Sequence, residues 1–433
     1  MKSPRRLKSL RASVAREDIV LVNIWSTFCR TICNIFVKWH NILKFWKTID
    51  GIMAGSFVLE SALQEILIVV KPSEVDRLTR LNVINYLKGV VQTVESLRGA
   101  TVEPYGSFIS NLYSKWGDLD ISVEPLSISS SDVRSRKLDL LRKIKKALQR
   151  RGVHKLEFIQ WARVPILKFE SDQSISCDIS IDNLLCQIKS KYFLWISDID
   201  ERFRDMVLLV KEWAKAQGIN DPKNGTFNSY SLTLLVIFHF QTCKPSILPP
   251  LMSIFDGNIA DLIGMQSHAS IETTCAENIA RFKRERYSRN QSTLSELFVS
   301  FFEKFSKIKR KSAKHVLCTY TGNWELKRSQ SRWMMTSSPI LIEDPFEQTE
   351  NAARSVGSFD LRNIAETFQE THQKLSSVLS KKSLIPILVR PEICGLLGVR
   401  APQRDLSRLQ QQLHQMNLDS PPSSSVSANR RRK

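Results

Sequence analysis

Two aspartates, Asp118 and Asp120, sit two residues apart in the run GSFISNLYSKWGDLDISVE, which opens on Gly106 and Ser107. A strand alternates its side chains, so both carboxylates share one face, about 7 Å apart along the chain, while Leu119 turns to the core. Oxygens so placed suit hard divalent cations, and two Mg2+ ions can hold the attacking and leaving oxygens of a phosphoryl displacement in line. A Gly-Ser turn at the start of a short helical segment adds backbone N–H groups and a hydroxyl for phosphate oxygens. A third carboxylate on a neighbouring strand would complete the set. The run SISCDISID offers Asp178 and Asp182 on one strand face, opposite Ile175, Cys177, Ile179 and Ile181, and alternation alone does not separate the two.

These groups need a frame. Strand-like runs from Ala100 to Pro104, Asp118 to Val123, Leu156 to Trp161, Val164 to Phe169 and Ser174 to Ile181, with a helix from Leu138 to Arg150, predict a mixed α/β region. Two helices precede it, one from Leu59 that Pro72 ends and one capped by Ser73. From about Tyr192 to Leu388 helical periods dominate, interrupted by PSILPP at 245–250 and by a loop around Ser337 to Pro345. The fold class is therefore α+β. Residues 1–56 form an extension without a clean period, 57–195 a mixed-sheet catalytic domain, 196–390 a mostly helical central domain, and 391–433 a basic tail. The QQQ, SPPSSS and RRRK runs of that tail predict disorder, since they bury too little apolar surface to offset ordering entropy.

The whole chain narrows the function. Its 433 residues carry a formal charge of +20, which points to a polyanionic partner. Eight scattered cysteines without a CxxC pair argue against a dense disulfide framework and a paired-cysteine zinc site, and fit a reducing compartment. The apolar stretch Ile19 to Val37 is broken by Arg30 and Asn34, so no membrane span is expected. The opening MKSPRRLKSLRASVAR, basic and without acids, reads as a solvated arm, with an organelle transit peptide as the alternative.

The GS turn, the DLD pair twelve residues on, and the later CDIS resemble the polymerase-β-like nucleotidyltransferases. Over residues 60 to 390 the segments YGSFISNL, KWGDLDIS, SISCDISIDN, LLVKEWAKA, GTFNSYSL and EDPFEQTENAARSV are similar to the terminal uridylyltransferase and cytoplasmic poly(A) polymerase group, above all to plant terminal uridylyltransferases that tail small RNAs lacking a 3′-terminal methyl group. The resemblance implies a mixed-sheet nucleotidyltransferase domain followed by a poly(A)-polymerase-associated helical domain. It selects Asp178 over Asp182 as third ligand beside Asp118 and Asp120, binding Mg2+ or Mn2+, and makes Asp178 the group that deprotonates the RNA 3′-hydroxyl. It further implies that Gly106, Ser107 and Ser229 meet phosphate and that Lys211 and Lys215, four apart on one helix face, hold the triphosphate. Tyr230 would stack on the base and Ser190 contact the ribose, where Lys189 departs from the asparagine usual in relatives. Asp344 would read the base, with Glu347 bracing its loop. Position 350, a histidine in the best-understood uridylyl-adding relatives, is here Glu350, which accepts hydrogen bonds but cannot donate to uracil O4.

The function so implied is addition of uridines from UTP to 3′-hydroxyls of single-stranded small RNAs or RNA fragments, marking them for decay. Small-RNA-carrying silencing proteins are the partners it suggests, and the nucleus and cytoplasm the location. A poly(A) polymerase using ATP is the alternative within the class. An inactive RNA-binding scaffold is the alternative outside it, though such relatives lose a carboxylate and this chain keeps all three. Basic runs at 281–289 and 304–314 are candidates for tracking RNA phosphates.

Overall fold

The structure is a computed structural model that describes residues 55–126, 132–257, 268–285, 289–377 and 380–401. The basic arm, the apolar stretch from Ile19 to Val37 and the tail beyond residue 401 lie outside the described residues.

Helix α1 covers residues 55–70, and α2 (Glu74–Gln92) starts at Ser73, whose hydroxyl accepts from the Asp76 N–H while the Asp76 side chain returns the bond. The strands are β1 (Thr101–Tyr105), β2 (Leu119–Glu124), β3 (Leu156–Ile159), β4 (Ile166–Glu170) and β5 (Ser176–Ile181). They form one sheet in the order β1-β2-β5-β4-β3, antiparallel except for β2 and β5. Helix α3 (Val133–Arg150) crosses between β2 and β3 and begins five residues before the expected Leu138, because Asp132 caps it by accepting from the Ser135 N–H. The helical segment expected after Gly106 is instead a series of turns over 106–111, closed by Asn111 at φ 56°.

The later helices are α4 (Leu184–Ser197), α5 (Glu201–Ala216), α6 (Ser229–Thr242), α7 (His268–Glu285), α8 (Leu294–Phe305), α9 (Ser358–Ser377), α10 (Lys381–Leu388) and α11 (Pro391–Leu396). Helix α6 is apolar all round and correspondingly buried on every side. The helical reading of this half misses a three-stranded sheet of β6 (His315–Cys318), β7 (Asn323–Leu326) and β8 (Ile342–Glu343). Strands of two to four residues are shorter than any period that could announce them. Residues 391–396, expected above to belong to the disordered tail, are instead helical: Pro391 starts α11, and its Ile393 and Cys394 are buried in the helical core.

Two large apolar cores organise the described residues. The smaller is built from α2, α3 and the inner faces of β1, β2, β4 and β5. The larger joins α4 to α11 and also takes in α1. Glu60 of α1 accepts from the Ser295 N–H at 2.7 Å, and Glu65 pairs with Lys381 of α10 at 2.6 Å. Packing therefore crosses the boundary drawn at residue 195, since α1 and α4 belong to the helical body.

Candidate active site

The parallel register of β2 and β5 sets Asp120 directly beside Asp178. Asp118 stands one residue before β2, on a loop fixed from α2 by the buried Arg80. Its guanidinium donates to the Lys115 and Gly117 carbonyls and lies 4.9 Å from the Tyr113 ring centroid. Asp182 parts from the others at the end of β5, where a φ of 49° turns it to Lys137 at 3.1 Å. Geometry thus separates the two carboxylates that alternation left together.

Burial first, then the negative charges of Asp178 and Asp118, push the Asp120 carboxyl up to about 7. Asp178 is raised as well, by burial, although Lys168 on β4 opposes this by donating to its Oδ1 at 2.7 Å. Burial works against the Lys168 charge, yet the bond to Asp178 keeps that ammonium above the ordinary lysine range. Among the described residues no three acidic, His or Cys side chains stand as a closed metal cluster. The donor set nonetheless fits a hard divalent cation, since it is all carboxylate and holds more negative charge than Lys168 offsets. The Gly106 backbone packs directly against one of these carboxylates: at φ 69°, a Cβ there would fall 2.2 Å from Asp120 Oδ2.

A cavity of about 360 Å3 opens between the sheet and the helical body. Of the residues singled out in the sequence, Gly106, Ser107, Asp118, Asp120, Ser190, Lys211, Lys215, Ser229 and Tyr230 border it. The Gly106 N–H expected for phosphate donates instead to Ser190 Oγ at 2.6 Å, and that hydroxyl donates to the Cys186 carbonyl. Ser190 therefore anchors the turn. Lys211 donates to the Leu112 carbonyl at 3.1 Å, and burial followed by Lys215 pushes its ammonium down to about 8. Lys215 is lowered too, by burial and then by Arg390. Between them in sequence, buried Glu212 holds the Arg390 guanidinium at 2.9 and 3.0 Å, and Arg390 lies 5.8 Å from the Trp116 ring beside Asp118.

The corner expected to read the base is arranged differently. Lys189 borders the cavity, and its ammonium donates to Asp344 Oδ2 and Glu347 Oε2, each at 2.7 Å. Burial opposes its charge, but Asp344 and Glu347 outweigh that and hold it above the usual lysine range. Asp344 stands behind Lys189, its other oxygen taken by the Phe346 and Glu347 N–H groups. Glu350 lies outside the cavity lining and pairs with Arg163 at 2.7 Å and Arg354 at 3.8 Å. Arg163, on the β3–β4 turn, also reaches Glu347 at 3.2 Å, tying the sheet to the loop. The sequence reading missed Lys168, Arg163, Arg80 and Arg390. Alternation on β4 could have marked Lys168 once its pairing with β5 was known; the others answer to partners far along the chain.

Comparison with known proteins agrees with this architecture. Residues 59–194 match the family model described as "Poly(A) RNA polymerase, mitochondrial-like, central palm domain". The chain is 54% identical to Protein HESO1 of Arabidopsis thaliana over 349 residues, covering 79% of this chain and 68% of that protein. It is 28% identical to Terminal uridylyltransferase cid1 of Schizosaccharomyces pombe over 300 residues, covering 64% of this chain and 69% of that protein. A solved structure of the Cid1 poly(U) polymerase bound to MgGTP superposes with a TM-score of 0.61 at 25% identity, covering 75% of this chain and 98% of that one. With the paired aspartates and the lysine helix lining one cleft and the third carboxylate beside Asp120 on the next strand, the chain belongs to the terminal uridylyltransferase and cytoplasmic poly(A) polymerase group of the polymerase-β-like nucleotidyltransferases.

Proposed function

We propose that this protein is a template-independent RNA 3′-terminal uridylyltransferase that transfers UMP from UTP to a 3′-hydroxyl. One observation carries the reading: a single cavity sets the Asp120 carboxyl, held above its ordinary range, against Lys211 and Lys215, held below theirs. Each side favours an added partner of opposite charge. Divalent cations on one side and a triphosphate on the other would supply both.

Asp118, Asp120 and Asp178 are the groups to hold Mg2+ or Mn2+, which when bound would neutralise the triphosphate and align the attacking and leaving oxygens. Asp178, at the edge of the set, takes the proton of the RNA 3′-hydroxyl, and Lys168 steadies the carboxylate for that task. Lys211 and Lys215 hold the phosphates as point charges, aided by the Ser107 and Ser229 hydroxyls. Tyr230 and Phe193, with ring centroids 5.6 Å apart, wall the nucleoside end and give the base an aromatic surface.

Single-stranded RNA 3′ ends are the acceptors this reading implies, and the basic run from Lys304 to Lys314 a path for their phosphates. Small RNAs, the silencing proteins that carry them, and the nucleus and cytoplasm complete the proposal. The name of the matching family model favours one second reading, a poly(A) polymerase using the same site with ATP. Incubating the full chain with a short 3′-hydroxyl RNA, Mg2+ or Mn2+ and each NTP alone, then UTP against ATP, decides between them. Oligouridine tails are expected; preferential ATP use supports the second reading, and no incorporation of any nucleotide overturns both.

A further inference from the structure

Within that reading, we propose that Lys189 is the residue that selects uracil, by donating a hydrogen bond to the base carbonyl at the position where cytosine and adenine carry an amino group. The inference rests on the chain being a nucleotidyltransferase, and goes beyond it in assigning base choice to a residue absent from the motif.

Three observations lead here. Lys189 is the member of the charged corner that borders the cavity, with Asp344 behind it and Glu350 engaged by Arg163 and Arg354. Its ammonium is fixed by two carboxylates, Asp344 and Glu347, which take two of its three N–H donors and leave the third. It also lies over the Tyr230 ring, 5.5 Å from the centroid, so a base packed against Tyr230 comes within reach of the ammonium.

An ammonium has donors and no acceptor. Uracil O4 satisfies it, whereas the amino groups of cytosine and adenine present hydrogen to hydrogen and leave a buried donor unpaired. Asp344 and Glu347 hold the lysine rigid, so little side-chain freedom is lost when the base arrives. The donor that Glu350 cannot supply is thereby provided from α4.

The test measures kcat/KM for UTP, CTP and ATP on a short 3′-hydroxyl RNA with the parent protein, Lys189→Met and Glu350→Ala. Lys189→Met should lower kcat/KM for UTP roughly 10- to 100-fold, mostly through KM, with a far smaller loss for ATP, so that the preference collapses. Equal losses for every nucleotide would overturn the proposal and leave Lys189 as a brace for the loop. Because Lys189→Met also strips a cation from two carboxylates, a second measurement uses the parent side chain: 4-thio-UTP, whose sulfur accepts poorly, should be disfavoured against UTP by the parent and not by Lys189→Met. A penalty confined to 2-thio-UTP, or one unchanged in the variant, would place the lysine away from O4 and overturn it. A parent that tails with UTP but keeps its preference in Lys189→Met sinks this inference alone, while a parent that incorporates nothing sinks the function.

Discussion

The carboxylate face and the base corner both adjoin one cavity and are built by different means. At the first, position follows from strand alternation and one parallel register: Asp118 and Asp120 are neighbours in sequence, and Asp178 faces Asp120 through backbone pairing. At the second, position follows from side-chain ion pairs between distant segments. Lys189 meets Asp344 from 155 residues away, and Arg163 meets Glu350 from 187. Groups that perform the chemical step are set by backbone, where a small displacement costs most. Groups that choose the base hang on salt bridges that a few substitutions can rewire.

Substitution at the carboxylate end should therefore give the largest and least forgiving effects. Asp118→Ala, Asp120→Ala and Asp178→Asn are each expected to reduce tailing by at least about 100-fold on a denaturing gel while the thermal melt stays near the parent's. Asp182→Asn, whose carboxylate faces Lys137, should cost less than about threefold. If Asp182→Asn proves as damaging as Asp178→Asn, the backbone account of this end is wrong.

Gly106→Ala comes next, since its Cβ would meet Asp120 Oδ2 at 2.2 Å on a backbone with φ 69°. Strain of about 1–3 kcal/mol and a displaced carboxylate should lower both the melting temperature and kcat. Parent-like values of both would show that the turn has freedom the geometry denies it.

Intermediate effects belong to the middle of the cavity. Lys211→Ala and Lys215→Ala should each raise the nucleotide KM about tenfold, and Tyr230→Ala should weaken nucleotide binding by about 1–3 kcal/mol in a titration. The Lys211 ammonium, pushed down to about 8, is charged below that pH and neutral above it. Only the charged form attracts phosphate, so kcat/KM for the nucleotide should fall as pH rises through about 8, and Lys211→Arg should carry that limb to higher pH. An unmoved limb would assign it to another group.

The smallest changes should come from Glu350. Tied to Arg163 and outside the lining, it is expected to leave the UTP to ATP ratio within about twofold when changed to Ala, and Arg163→Ala should act mainly through a modest, salt-dependent rise in KM. A large change in ratio from Glu350→Ala would bring this carboxylate back to the base and dissolve the contrast between the two ends.

What could be read in the sequence divides along the same line. All five strands of the main sheet were legible to within two residues at each end, because apolar alternation is local. The metal-suited pair was legible for the same reason. Lys168 opposite Asp178 was not, since it needs the β4–β5 register, which no single strand encodes. Lys189 stood out only as a departure from relatives, and its hold on Asp344 and Glu347 depends on a fold that brings α4 beneath a loop far downstream. The small sheet of β6, β7 and β8 escaped notice because so few residues show no period.

The course of α1 bears on how the protein is made. This helix leaves the ribosome ahead of the sheet, yet its partners, Ser295 at the start of α8 and Lys381 on α10, are synthesised long after it. The smaller core, whose members run from Val83 to Ile181, is complete while the apolar face of Leu63, Ile66, Leu67 and Val70 still lacks its cover. During translation that face is an exposed adhesive strip, the kind of surface a chaperone shields. Losing α1 or α11 would then injure one and the same core, the helical one, and leave the sheet able to form without a finished cleft above it.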